Sequence, residues 1–176
     1  RPHARVVRID TSKAEALPGV KAVIPGRDMP EKYGILPVSE DEYPLEIDRV
    51  RFVGDPIAAV AAVDEFTAEK AVRLIEVEYE DLPEAFDLNE GLAPVADERS
   101  RIHEYGPRDN LHKVVNLEFG DLDAGFEAAD HVEEGVYFYQ GNNHLAMEQH
   151  AALAQYGADG KLTLWSSTQT PHYVHK

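Results

Sequence analysis

A chain of 176 residues, 43% of them apolar, can bury one ordinary core or two small ones, which excludes an intrinsically disordered segment. Its 17 basic against 33 acidic residues give a formal net charge of -16, which opposes nucleic acid or an anionic membrane surface as the main partner. Without cysteine these residues offer no disulfide, thiolate metal site or iron–sulfur ligand set, so any redox chemistry borrows its cofactor from elsewhere.

No apolar run reaches the length of a membrane span, and the chain begins at Arg1 with neither an initiator Met nor a signal sequence. The expected compartment is the cytoplasm, and both Arg1 and Lys176 read as cuts through a longer protein.

Arg5 to Asp10 is a short β-rich run, followed by an N-cap at Thr11-Ser12 and one or two helical turns stopped at Pro18-Gly19. Val20 to Ile24 reads as a second strand, and Arg27 to Pro30 as a brief helical turn. Glu31 to Asp48, rich in Pro, Gly, Tyr and acid without a clean period, reads as a surface loop whose carboxylates form a solvated face.

Val50 to Val53 leads through Gly54-Asp55-Pro56 into the small apolar run Ile57 to Val63, which suits a strand covered on both faces. Asp64 caps a helix in which Phe66, Ala68, Ala71, Val72, Leu74 and Ile75 fall at helical spacing. Ile75 to Glu80 then alternates. This strand, helix, strand unit predicts an open sheet with a helix on at least one face. The Gly54-Asp55-Pro56 turn is too short to be a phosphate-binding loop.

Asp87 to Asn110 reads as a connector, with a domain boundary near Pro107. Strands are expected over Leu111 to Phe119 and His131 to Gln140, with a short helix started by Gly120-Asp121 between them. A hairpin of Ala151 to Tyr156 and a strand from Leu162, joined at Gly157 to Gly160, follows.

The chemistry concentrates near the end. Leu162 to Trp165 alternates like a half-buried strand and runs into Ser166, Ser167, Thr168, Gln169 and Thr170 before Pro171 stops the ladder. Four hydroxyls and one carboxamide at a strand end could hold an oxygen-rich ligand, and they equally suit an ordinary solvated loop. Gln169 offers a donor and an acceptor without a charge, which suits contact with an oxo ligand or the capping of a loop. His144, Glu148 and His150 share one face if that stretch is extended, a pattern that fits a mononuclear metal enzyme and also a buried His held by Glu. His172 and His175 carry no assignment. An acidic, non-catalytic interaction module binding a basic partner is a further alternative.

Five landmarks carry a resemblance: Phe52 to Ala62, Glu76 to Pro83, Gly120 to Phe126, His144 to Glu148, and Trp165 to Pro171. In this order they resemble the large, molybdopterin-binding subunit of the molybdenum hydroxylases, the xanthine dehydrogenase and aldehyde oxidase family. Asn142 to His150 most resembles the 4-hydroxybenzoyl-CoA reductase branch, which removes a ring hydroxyl reductively.

The resemblance implies an α/β (α+β) chain: an α/β hammerhead domain over 1–92, a connector over 93–110, and the truncated start of the first molybdopterin-binding domain over 111–176. It implies that Gln169 hydrogen-bonds an oxo ligand of molybdenum from outside the coordination sphere. His144, Met147 and Glu148 match a landmark without a role. No complete catalytic set and no metal ligand are expected here, because the family's glycine-rich cofactor loop and general-base glutamate come later in the subunit. Implied partners are the rest of the large subunit, iron–sulfur and flavin domains or subunits, and a small aromatic, aldehyde or CoA-thioester substrate. The segment alone should be inactive.

Overall fold

Punctuation by Pro, Gly and Asp breaks the chain into short elements, and the computed structural model, which describes residues 1–34, 40–103, 106 and 108–174, groups them into two units, Arg1–Asn116 and Leu117–Lys176. Pro107 and His175 lie outside the described residues.

In the first unit β1 (Ala4–Asp10) is central, with β3 (Arg49–Val50) on one side and β5 (Glu76–Asp81) on the other, both antiparallel. Arg5 faces Glu80 across the ladder and the two side chains form an ion pair. A second ladder joins β2 (Val20–Pro25) antiparallel to β4 (Ala58–Ala62). Two helices, α1 (Ser12–Glu15) and α2 (Glu65–Val72), pack together, and each buries one alanine completely, Ala14 and Ala71. Asp64 caps α2 by accepting the Thr67 N–H at 2.7 Å. Ala4, Leu45, Val50 and Leu82 are buried with them, as is Pro25 at the end of β2.

Gly26 sets the approach of two segments. Its N–H donates to Ile57 O at 3.2 Å, and the Glu46 N–H donates to Pro56 O at 2.7 Å. A Cβ on Gly26 would lie 2.4 Å from Glu46 O and 2.5 Å from Leu45 O, so only glycine fits.

Several expectations are corrected here. The strands flanking α2 do not share a sheet: β4 pairs with β2 and β5 with β1, so the unit is two antiparallel ladders rather than an open sheet built on a strand, helix, strand unit. β4 alternates between half-buried and exposed residues instead of being covered on both faces, because its run is mostly alanine and buries little from either side. Phe66 is 78% exposed and outside the packed stripe, which rests on Ala71 with Thr67 and Ala68 half-buried. The connector contains α3 (Leu88–Leu92) and a 3-10 turn at Glu98–Ser100, each capped by an aspartate, Asp87 and Asp97.

The second unit holds α4 (Leu122–Glu127), the antiparallel pair β6 (Ala152–Tyr156) and β7 (Leu162–Ser166), and α5 (Pro171–Val174). Asp121 caps α4 through the Ala124 N–H at 2.9 Å. Leu111 to Phe119 and His131 to Gln140, expected as strands, form no β-ladder among the described residues. A period of two specifies a pleat but supplies no partner, and Val136 and Phe138 stand 98% and 87% exposed.

Candidate functional site

The strand-end cluster is shaped by its own hydroxyls. Gly157 and Gly160 close the β6–β7 hairpin, with the Gly157 N–H donating to Lys161 O at 2.8 Å and Gly160 at φ +79°. Beyond β7, the Ser167 N–H donates to Ala151 O at 3.2 Å, and Ser167 Oγ accepts the Ala151 N–H at 3.1 Å, extending the ladder by one rung. Thr168 Oγ1 accepts the Thr170 N–H at 3.0 Å, and Thr170 O accepts the Tyr173 N–H at 3.0 Å as Pro171 opens α5.

Gln169 sits at the bend between these two anchored points, exposed, and its carboxamide has no hydrogen-bond partner among the described residues. Backbone placement comes from the threonines, and the neutral amide is open to solvent. Such a group fits an oxygen-bearing ligand, since it donates and accepts without adding charge.

The proposed metal trio is corrected. Among the described residues no group of three His, Asp or Glu is placed to hold a metal ion, His144, Glu148 and His150 included. Leu145 adopts φ +44° and the chain bends at Met147 and Glu148, so the even spacing no longer puts the three on one face. His172 lies exposed on α5.

A second polar cluster, unforeseen in the sequence, lies in the first unit around a cavity of about 280 Å³ bordered by Tyr33, Asp41, Glu46, Arg51, Asp55 and His103. Glu46 is 5% exposed, a correction to the solvated face expected over Glu31 to Asp48, of which residues 35–39 lie outside the described set. Its carboxylate meets Arg51 Nη1 at 3.0 Å. Burial pushes the Glu46 and Asp55 carboxyls above the usual carboxylate range, and the Arg51 charge beside them pulls back in part. A buried acid requires a buried base, and Arg51 five residues on was the available signal.

His3 is buried immediately before β1. Its Nδ1–H donates to Pro83 O at 2.7 Å, which leaves Nε2 as a buried acceptor without a partner among the described residues. Protonating Nε2 would bury a charge near Arg49 and Arg51, and burial holds this imidazole below the ordinary histidine range. The unfolded chain therefore takes up this proton first, and the His3 contribution to stability is full above about pH 6.5 and lost as pH falls through that value toward the lowered one. Against wild type, His3→Asn, whose amide can still donate to Pro83 O, should show a flatter urea midpoint between about pH 7 and pH 5. Subtracting the two profiles cancels the opposite trend of Glu46 and Asp55, whose raised values add stability in acid; parallel profiles would rule His3 out.

Comparison with known proteins matches the chain in two stretches, the second of which begins inside the first structural unit. The sequence model of the aldehyde oxidase and xanthine dehydrogenase a/b hammerhead domain matches residues 1–83, and that of the molybdopterin cofactor-binding domain matches residues 102–176. The chain belongs to the molybdenum hydroxylase family, that of xanthine dehydrogenase and aldehyde oxidase, and its mixed helix-and-sheet fold is that of the family.

Among its relatives, the nicotinate dehydrogenase large molybdopterin subunit of Eubacterium barkeri is 38% identical over 98% of this chain and 39% of that protein. The 6-hydroxypseudooxynicotine dehydrogenase complex subunit gamma of Paenarthrobacter nicotinovorans is 33% identical over 87% of this chain and 20% of its own length. In the crystal structure of quinoline 2-oxidoreductase from Pseudomonas putida 86, the matching region superposes with a TM-score of 0.79 at 32% identity, covering 99% of this chain and 23% of that one. The chain thus spans about two fifths or less of each, and two of them are named as subunits of larger enzymes. Among the described residues no helix is long and apolar enough to cross a membrane.

Proposed function

We propose that this chain supplies part of the molybdopterin-binding subunit of a molybdenum-dependent oxidoreductase, with 111–176 forming one wall of the cofactor pocket and 1–92 a hammerhead domain joined to it by 93–110. The observation that carries the reading is the match of residues 102–176 to the molybdopterin cofactor-binding domain, with Gln169 exposed at an anchored bend inside it. When bound, the molybdenum group supplies two-electron redox chemistry at a substrate carbon.

This chain's own part is orientation: Gln169 would hold an oxo ligand through its N–H, and Ser167, Thr168 and Thr170 would hold Gln169. The partners are the rest of the large subunit and iron–sulfur and flavin carriers, in the cytoplasm. The run Asn142 to His150 supports a 4-hydroxybenzoyl-CoA reductase-like branch, with a small aromatic, aldehyde or CoA-thioester substrate.

Measuring molybdenum and pterin in the purified full-length subunit, and turnover by the 176-residue chain, tests the reading. Stoichiometric cofactor in the subunit is expected, with no turnover by the chain alone. A subunit without pterin, or a chain that turns over unaided, would overturn it.

A further inference from the structure

We infer that Arg51 is a clasp that fixes residues 100–103, the stretch where the cofactor-domain match begins, within the first unit. One side chain forks its hydrogen bonds to two stretches far apart in sequence. Arg51 Nη1 meets Glu46 Oε1 at 3.0 Å and donates to Arg49 O at 3.3 Å, while Nε donates to Ile102 O at 3.0 Å. The Arg51 backbone N–H is itself held by Asp55 Oδ2 at 2.9 Å.

Neighbours reinforce the same stretch. Arg49 Nη1 donates to Arg101 O at 2.9 Å, and His103 Nδ1 lies 2.9 Å from Asp41 Oδ2. On the far side, Asn110 Oδ1 accepts the Ile102 N–H at 2.8 Å and Asn110 Nδ2 donates to Ser100 O at 3.2 Å. Residues 100–103 are therefore bound on both sides, by Arg49 and Arg51 and by Asn110, all within the first unit.

The place gives the clasp its meaning. The hammerhead match ends at residue 83 and the cofactor-domain match begins at residue 102, one of the two residues whose carbonyls the arginines hold. Two carbonyl contacts without helix or strand between them fix a backbone only if the donor is itself rigid. Arg51 and Glu46 side chains are 18% and 7% exposed, and the ion pair is held in place by packing. A planar guanidinium reaches two segments at once, and a lysine ammonium of similar length lacks that fork. Arg51 is a positioning residue: it sets the path of residues 100–103 within the first unit.

Hydrogen exchange read by mass spectrometry on the 176-residue chain tests this. The amides of Ser100, Arg101 and Ile102 donate to Asp97 O, Glu98 O and Asn110 Oδ1, so their exchange reports the stretch directly. Arg51→Lys and Arg51→Gln are expected to speed their exchange about tenfold or more, while the β1–β5 ladder changes less than about twofold. Glu46→Gln, which keeps an oxygen for Nη1, should stay within about threefold of wild type. Unchanged exchange over 100–102 in both Arg51 variants overturns the inference. So does an Arg51→Lys chain that loses β1–β5 protection to the same extent, because Arg51 would then hold the whole unit rather than this stretch.

Discussion

Gly26→Val is expected to lower the unfolding free energy of the first unit by about 3 kcal/mol, among the largest effects of any single change in it. The groups in the way are the backbone oxygens of Leu45 and Glu46, which no rotamer change can move. To admit a side chain, the Leu45–Glu46 segment must retreat. That would draw Leu45 from a small core, stretch the 2.7 Å bond from Glu46 N–H to Pro56 O, and separate Glu46 from Arg51. At roughly 2–4 °C per kcal/mol for a chain of this size, the melting temperature should fall by about 6–12 °C. Far-UV circular dichroism across a urea gradient measures it, and a variant within about 0.5 kcal/mol of wild type would mean the two segments part freely.

Gln169→Ala in the full-length subunit is expected to reduce kcat by about 10–100-fold with molybdenum content and folding unchanged, the range for losing a group that orients a metal's ligands without coordinating the metal. The bend is built by Ser167, Thr168 and Thr170, so the truncation leaves its backbone intact. Gln169→Glu separates hydrogen bonding from charge: it keeps an acceptor but sets a carboxylate against an electron-rich ligand, and it should be at least as slow as alanine. Steady-state kinetics with metal analysis on the same preparation decides. Alanine and wild type turning over within about twofold of each other would remove Gln169 from the site.

What the sequence disclosed follows the range of the interaction. Asp64 and Asp121 announce their helices because a cap needs only the residue three places on, and Gly157 to Gly160 announces the hairpin because a tight turn is chosen locally. Pairing between distant strands is different. Ile57–Val63 and Ile75–Glu80 read as neighbours around one helix, yet each finds an earlier strand, because antiparallel partners are selected by three-dimensional packing that no local period encodes. Glu46 shows the same limit: among the acids of its loop nothing marks it as the buried one until Arg51 is seen beside it. At the candidate site, residue type left Gln169 open between an oxo contact and a loop cap and only the family resemblance singled it out, whereas the distribution of its neighbours' hydrogen bonds needed coordinates. The His144, Glu148 and His150 reading failed because it assumed an extended run, where the backbone turns at Leu145 and bends again at Met147 and Glu148.

The pairing of β1 with β5 constrains how this chain matures during synthesis. Ala4 cannot meet Asp81 until the whole intervening stretch has left the ribosome, so the central strand waits, unpaired on that side, while a long loop is still open. High contact order of this kind slows folding, and a nascent chain paused before residue 81 would expose Val6 and Ile9 to any other β-edge nearby.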